Sequence, residues 1–182
     1  MLESIMKEVG NEVGKSVSSD LPDFAKDMEP NEVNSLDEAN KPVENLDTRH
    51  KVEAGERHPD TRVLFEKKAI SFDDKVVVGV FPEFPSITEV QLDESLYQAS
   101  DGLQMKAATQ DLAKQIETNP ELEDKFTDRQ LEQIEAGRPK IDGYTWHHSE
   151  EEGTMQLVDS DIHRKTGHTG GQVIWGGGSQ NR

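Results

Sequence analysis

The chain has no cysteine. Disulfides, thiolate zinc sites and cysteine nucleophiles are therefore excluded. It also lacks a long apolar run, and no stretch approaches membrane-spanning length. Residues 1–19 place acidic groups early and have no continuous apolar core, so they do not read as a signal peptide. Export is expected to need a specialised secretion route or a larger parent chain. Hydrophobic residues make up only 32% of the sequence, below the globular average, and the shortage is uneven. Positive charge is scarce too: 20 Lys and Arg stand against 37 Asp and Glu, a net of −17. That balance argues against loose, charge-driven binding to nucleic acid. The deficit is concentrated, however. Residues 139–182 carry a net of −2 and the preceding 138 residues the other −15. A length of 182 residues suits one ordinary domain with a tail or a small second unit.

Leu2, Ile5, Met6, Val9, Val13 and Val17 recur at helical spacing, which predicts a short amphipathic helix over residues 1–19 weakened by Gly10 and Gly14. Residues 20–55 are acidic and contain Pro22, Pro30 and Pro42, and read as a linker or arm outside the compact domain. Order is expected from His58-Pro59 onward. Residues 62–70 and 75–81 are rich in Val, Ile and Phe and flank a turn at 71–74, a β-hairpin pattern with Pro82 and Pro85 stopping the second strand. Asp93 or Ser95 starts a helical turn. Ser100 then caps a helix over 101–118 with Leu103, Ala107, Leu112 and Ile116 inward. Asn119-Pro120 opens a second helix, and Thr127 with Gln130 forms a capping box for a third, which Gly137 and Pro139 end. After Gly143 the pattern becomes strand (144–149), turn (150–153), strand (154–158), then a short helix capped by Asp159 or Ser160 and ending near Gly167.

Four of the six histidines and both tryptophans lie in this last quarter. Clustered imidazoles suit metal binding and proton transfer near neutral pH. A phosphodiester hydrolase needs both, a metal on the phosphate and a base for water. His147 and His148 are adjacent, so a regular strand points them to opposite faces. One ligand and one base is the division that suits them. His163 and His168 are five apart, about 140° around an ideal helix, and would not share a face. A left-handed Gly167 would fold His168 back toward His163. Asp159 and Asp161 are alternative ligands. A mainly histidine site favours Zn²⁺, Ni²⁺ or Mn²⁺, and a mixed site admits Mg²⁺. Trp146 and Trp175 read as core anchors before stacking surfaces, and Gly170-Gly171 as tight packing or a phosphate cradle. His50 and His58 are isolated and read as non-catalytic.

Trp146-His147-His148, then Met155-Gln-Leu-Val158, Ile162-His163-x4-His168-Thr-Gly-Gly171 and Trp175-Gly176 resemble the WHH-type nucleases of the HNH/endonuclease VII superfamily. These are mostly C-terminal toxin domains of bacterial polymorphic toxin systems. The resemblance is clearest over residues 143–182. Before the motif it extends to His58-Pro, Phe65-Glu-Lys-Lys, Gly79-Val-Phe-Pro, Val90-Gln-Leu, Leu96-Tyr-x-Ala-Ser and Phe126-Thr.

The resemblance implies an α+β nuclease domain over 56–182 with a ββα-metal core at 143–182. It implies one divalent metal ion (Zn, Ni, Mn or Mg), with His148 as general base and His147, His163 and His168 as ligands. His163 or His168 is alternatively a phosphate contact. Arg164, Lys165 and Ser149 are expected to touch substrate, Ser149 standing where many relatives carry a third histidine. The implied substrate is DNA, with RNA as the alternative, and the implied partner is a cognate immunity protein. The implied setting is a secreted effector acting in the target-cell cytoplasm. A different class of reading is a protein-binding module on a degenerate nuclease scaffold, motivated by Ser149 and the −17 charge.

Overall fold

The computed structural model describes residues 41–47 and 52–178. The expected amphipathic helix over 1–19, most of the 20–55 segment and His50 lie outside the described residues. Within that segment, Val43–Asn45 form a strand (β1).

The hairpin is β2 (Leu64–Phe72) with β3 (Lys75–Glu83), joined by a two-residue turn at Asp73-Asp74. Asp73 sits at φ +52, a left-handed conformation that Asp tolerates. On β3 the inward residues alternate as Val77, Gly79 and Phe81. A Cβ on Gly79 would lie 2.7 Å from the Phe81 ring, so the glycine leaves the space that ring fills. β1 pairs with β3 in parallel over Val76–Val78, giving a first sheet ordered β1-β3-β2.

Pro82 does not stop β3, contrary to the sequence expectation. Its partner Phe65 directs both backbone groups the other way, donating to Glu56 O and accepting from Gly55 N. Pro82 therefore faces a non-hydrogen-bonded position of the β2 ladder, where a missing N–H removes no bond. After Pro85 the chain forms β4 (Ser86–Gln91), a strand the proline-flanked polar sequence did not disclose. β4 pairs with β6 (Thr154–Asp159), which pairs with β5 (Tyr144–His148), both antiparallel, in a second sheet ordered β4-β6-β5.

Between β4 and β5 in sequence lie a 3₁₀ turn (Glu94–Leu96, capped by Asp93) and three helices: α1 (Asp101–Thr118), α2 (Pro120–Glu123) and α3 (Asp128–Glu135). The Asn119 side chain accepts from Leu122 N at the start of α2, and Thr127 with Gln130 completes the expected capping box on α3. The inward face of α1 includes the expected Ala107, Leu112 and Ile116 but not Leu103. Leu103 is 57% exposed, and the buried stripe is Gln104, Ala108, Thr109 and Leu112. Two buried polar side chains thus take positions that a purely apolar reading assigns elsewhere.

The main core joins α1, α3 and the second sheet through Leu112, Ile134, Trp146, Met155, Leu157 and Trp175. A smaller cluster of Val63, Phe65, Phe84 and Val158 lies beside it. The architecture is α+β.

Candidate metal centre

β5, the 149–153 turn, β6 and helix α4 (Ser160–Lys165) form the expected strand-turn-strand-helix unit. Asp159 ends β6 and caps α4, its carboxylate accepting from Asp161 N and Ile162 N. Strand alternation then sorts the Trp-His-His motif between two faces. Trp146 and His148 turn toward α1, where the Trp146 indole donates to Thr109 Oγ1 at 2.9 Å and His148 Nε2 lies 2.8 Å from Gln104 Oε1. The His148 ring also packs 5.2 Å from the Trp175 ring. His147 turns the other way and meets the α4 side.

There three histidines converge. His147 Nδ1 lies 3.3 Å from His163 Nε2 and 3.2 Å from His168 Nε2, and one nitrogen from each ring falls within 4.8 Å of the others. The Phe84 ring forms an apolar wall against all three, at centroid distances of 4.8–5.3 Å. His147 is 3% exposed, and its Nε2 has no hydrogen-bond partner among the described residues. Burial holds the His147 ring well below its ordinary range, reinforced by His168, His163 and His148. Burial, then His168 and His148, lowers His163 to about 4. These two rings are therefore neutral near pH 7, the form whose lone pair binds a metal.

His168 reaches the cluster by a route the sequence reading did not anticipate. Gly167 is not left-handed. Helix α4 ends at Thr166, and the carbonyl of Thr166 accepts from His168 Nδ1 at 2.6 Å. A carbonyl can only accept, so Nδ1 carries the hydrogen and Nε2 presents its lone pair to the cluster. Thr166 is itself fully buried and shares a 2.6 Å hydrogen bond with Thr61. Thr61 belongs to a turn whose backbone N–H donates to His58 Nδ1. His58 is thus a structural residue one step further from the cluster.

The remaining candidates separate. Asp159 is occupied as a helix cap, and Asp161 binds Arg164 and, at 2.6 Å, Lys165. Neither belongs to the histidine cluster. Arg164 and Lys165 are exposed beside it. Ser149 is not presented to substrate: it is 2% exposed, and its hydroxyl accepts from Glu151 N. Gly171 explains why. A Cβ there would stand 1.7 Å from Ser149 O and 2.4 Å from Trp175 Nε1, so the Gly170-Gly171 pair serves close packing. The Trp175 indole in turn donates to Ser149 O at 2.8 Å. Both tryptophans are core anchors, each 2% exposed or less.

The acidic run at 150–152 is not uniformly solvent-facing either. Glu150 is buried and ion-paired with Lys68 of β2, which also binds Glu83 at 2.6 Å. Burial alone would lower the Lys68 pKa, but the hydrogen bonds to Glu150 and Glu83 outweigh it and hold the ammonium above its ordinary value. A cleft of about 850 Å³ opens over the cluster, lined among others by His147, His148, His163, Arg164, His168 and Asp47.

Residues 74–170 match the family model of the DNase/tRNase domain of colicin-like bacteriocins. The chain belongs to this family. It is a nuclease toxin domain, and the matched span takes in all four histidines of the cleft and the whole ββα unit. The nucleic-acid substrate follows from the family. No curated protein and no solved structure matches the chain. No helix among the described residues is long and apolar enough to cross a membrane. Beyond the motif histidines, this domain relies on Gln104, Thr61, Thr166, Phe84 and Lys68. Only Gln104 had a legible signal, a polar residue heading the Ala108–Leu112 stripe of α1.

Proposed function

We propose that this domain is an HNH-type, WHH-class endonuclease that hydrolyses DNA phosphodiester bonds with one divalent metal ion. The observation that carries the reading is the convergence of His147, His163 and His168, three imidazoles backed by an apolar wall. The donor set fits a metal: three nitrogens, no carboxylate, and a tautomer at His168 fixed by the Thr166 carbonyl. Such a set suits Zn²⁺ or Ni²⁺ better than Mg²⁺, with Mn²⁺ between. His147, His163 and His168 would hold the ion, which when bound supplies positive charge to the phosphate and the leaving oxygen.

The protein groups divide the rest of the work. His148, on the opposite face of β5 from His147 but bordering the same cleft, is the base that takes a proton from the attacking water. Arg164 and Lys165 sit beside the cluster as phosphate contacts. Each must exchange its bond to Asp161 for one to substrate. Phe84 excludes water from beneath the ligands. The nuclease domain is read as 56–182, with its ββα core at 143–182.

As a toxin of this kind, the domain would be neutralised by a cognate immunity protein in the producing cell and delivered to a target-cell cytoplasm within a larger protein or by a specialised secretion system. RNA is the second reading, favoured by the tRNase half of the family description. The test is nicking of supercoiled plasmid, in parallel with tRNA digestion, under added Zn²⁺, Ni²⁺, Mn²⁺ or Mg²⁺. Cleavage abolished by EDTA and by His148→Ala supports the reading. Equal activity of wild type and His148→Ala refutes the assignment of the base. Calorimetry showing no metal binding would leave the binding-module alternative.

A further inference from the structure

We infer that Gln104 is a positioning residue for His148, fixing the ring's orientation and which of its nitrogens carries the proton. The inference rests on the nuclease reading above, in which His148 is the base. Gln104 is fully buried on α1, outside the histidine motif. Its amide nitrogen donates to Leu96 O at 2.9 Å and to Tyr97 O at 2.8 Å. Both acceptors are carbonyls. Exchanging the nitrogen and oxygen of the amide would set Oε1 against two other oxygens and leave all three without a proton between them. The amide therefore has one orientation, with Oε1 facing His148 Nε2 at 2.8 Å.

An amide oxygen only accepts, so His148 Nε2 bears the hydrogen and Nδ1 bears the lone pair. A base works through its lone pair, and the nitrogen that can act is thereby chosen by a residue 44 positions earlier in the chain. The oxygen also stays matched when the ring takes up a second proton, because both ring nitrogens then donate. Trp175 packs 5.2 Å from the same ring and limits its tilt. The two carbonyls that hold Gln104 belong to the 3₁₀ turn capped by Asp93. The turn, the helix and the motif strand thus form one hydrogen-bonded series ending on the base.

The test combines a spectroscopic and a kinetic reading. Nitrogen-15 NMR of the histidine rings, with His148 assigned by the peak missing from His148→Gln, reports the tautomer in the wild-type protein without any turnover. The expected result is Nε2–H. Gln104→Met keeps length and burial but removes the acceptor. Its expected kcat falls by about tenfold to a hundredfold, less than the roughly hundredfold to ten-thousandfold that loss of a general base costs, because the base itself remains. Its KM and its calorimetric affinity for the activating metal stay at the wild-type values. An Nδ1–H tautomer in the wild-type protein overturns the inference, as does Gln104→Met cutting at wild-type kcat. If Gln104→Met does not fold, as judged by thermal melting, the wild-type tautomer decides. A wild-type protein that binds metal but cuts neither DNA nor RNA overturns the nuclease reading instead, and this inference with it.

Discussion

In the metal-free protein, acid should weaken the fold through His163. Its pKa is lowered from 6.5 to about 4, first by burial and then by His168 and His148. As the pH falls, the unfolded chain takes up this proton near 6.5, while the folded chain refuses it until about 4. The contribution is therefore fully present above 6.5 and is lost as the pH falls through that window. A gap of about 2.5 pH units, at 1.36 kcal/mol per unit, is worth roughly 3 kcal/mol. His147 adds in the same direction, again chiefly through burial. The measurement is urea denaturation in EDTA at pH 7.5 and 4.5, for wild type and His163→Gln. Carboxylates titrate in both proteins and cancel in the difference. Wild type should lose roughly 2.5 kcal/mol more than the variant between the two pH values, the rest falling below pH 4.5. Equal losses would show that His163 is not held neutral by the cluster, and the argument from burial would fail. Added Zn²⁺ should stabilise the wild type at pH 7.5 and lose its effect as the pH falls toward about 4, where the folded His163 ring takes up its proton, because only the neutral ring ligates.

Lys68→Met strands the Glu150 carboxylate in a buried site and should cost about 3–5 kcal/mol by denaturant unfolding, with Lys68→Met/Glu150→Gln recovering most of it. Recovery of nothing would mean that Lys68 acts mainly through Glu83. Thr61→Val leaves the buried Thr166 hydroxyl without its partner, which should cost about 1–3 kcal/mol. The same variant should weaken metal affinity by about tenfold through the looser His168 support, as read by calorimetry. Gly171→Ala drives a Cβ into the Ser149 carbonyl, so near-ultraviolet circular dichroism should lose the ordered Trp175 signal. A soluble variant with wild-type melting would contradict the close approach. DNA binding by His148→Ala should show a shallow dependence on salt. With Arg164 and Lys165 as the phosphate contacts, the log–log slope should be about −2, and a slope near −6 would point to a cationic surface elsewhere.

Much of the site was legible because its logic is local. Adjacent histidines on a strand must diverge, and they do, His147 to the cluster and His148 to Gln104. The capping box at Thr127 and the Asp73-Asp74 turn depend on neighbouring residues alone and appear where the sequence puts them. What stayed hidden depends on partners distant in sequence. Pro82 is tolerated only because residues 55–56 draw the backbone bonds of Phe65 away from it. β4 exists because β6 offers an edge, and its own polar sequence shows one buried residue, Val90. The return of His168 uses the carbonyl of Thr166, a residue whose hydroxyl is bonded to Thr61, 105 residues earlier, in place of the left-handed glycine that local rules favour. Gln104 rather than Leu103 faces inward, where its amide meets His148, a partner 44 residues later in the chain.

The net charge of −17 is relieved beside the histidine unit because three nearby acids are paired in place, leaving Asp47 and Asp101 as the acids that line the cleft. Glu150 is buried against Lys68. Asp159 holds the first N–H groups of α4. Asp161 lies between Arg164 and Lys165. None of the three is an unpaired anion, and the histidine cluster contains no carboxylate. The same pairing leaves few cations for the backbone of a duplex, since Arg164 and Lys165 must each leave Asp161 to reach it. On the proposed reading, recognition falls on the cleft itself, where an ion held by His147, His163 and His168 would supply the attraction for phosphate more than a basic surface does. In such a site, binding and chemistry draw on the same residues. Substitution of His147, His163 or His168 should then impair substrate affinity together with turnover, whereas substitution of Gln104 should impair turnover alone.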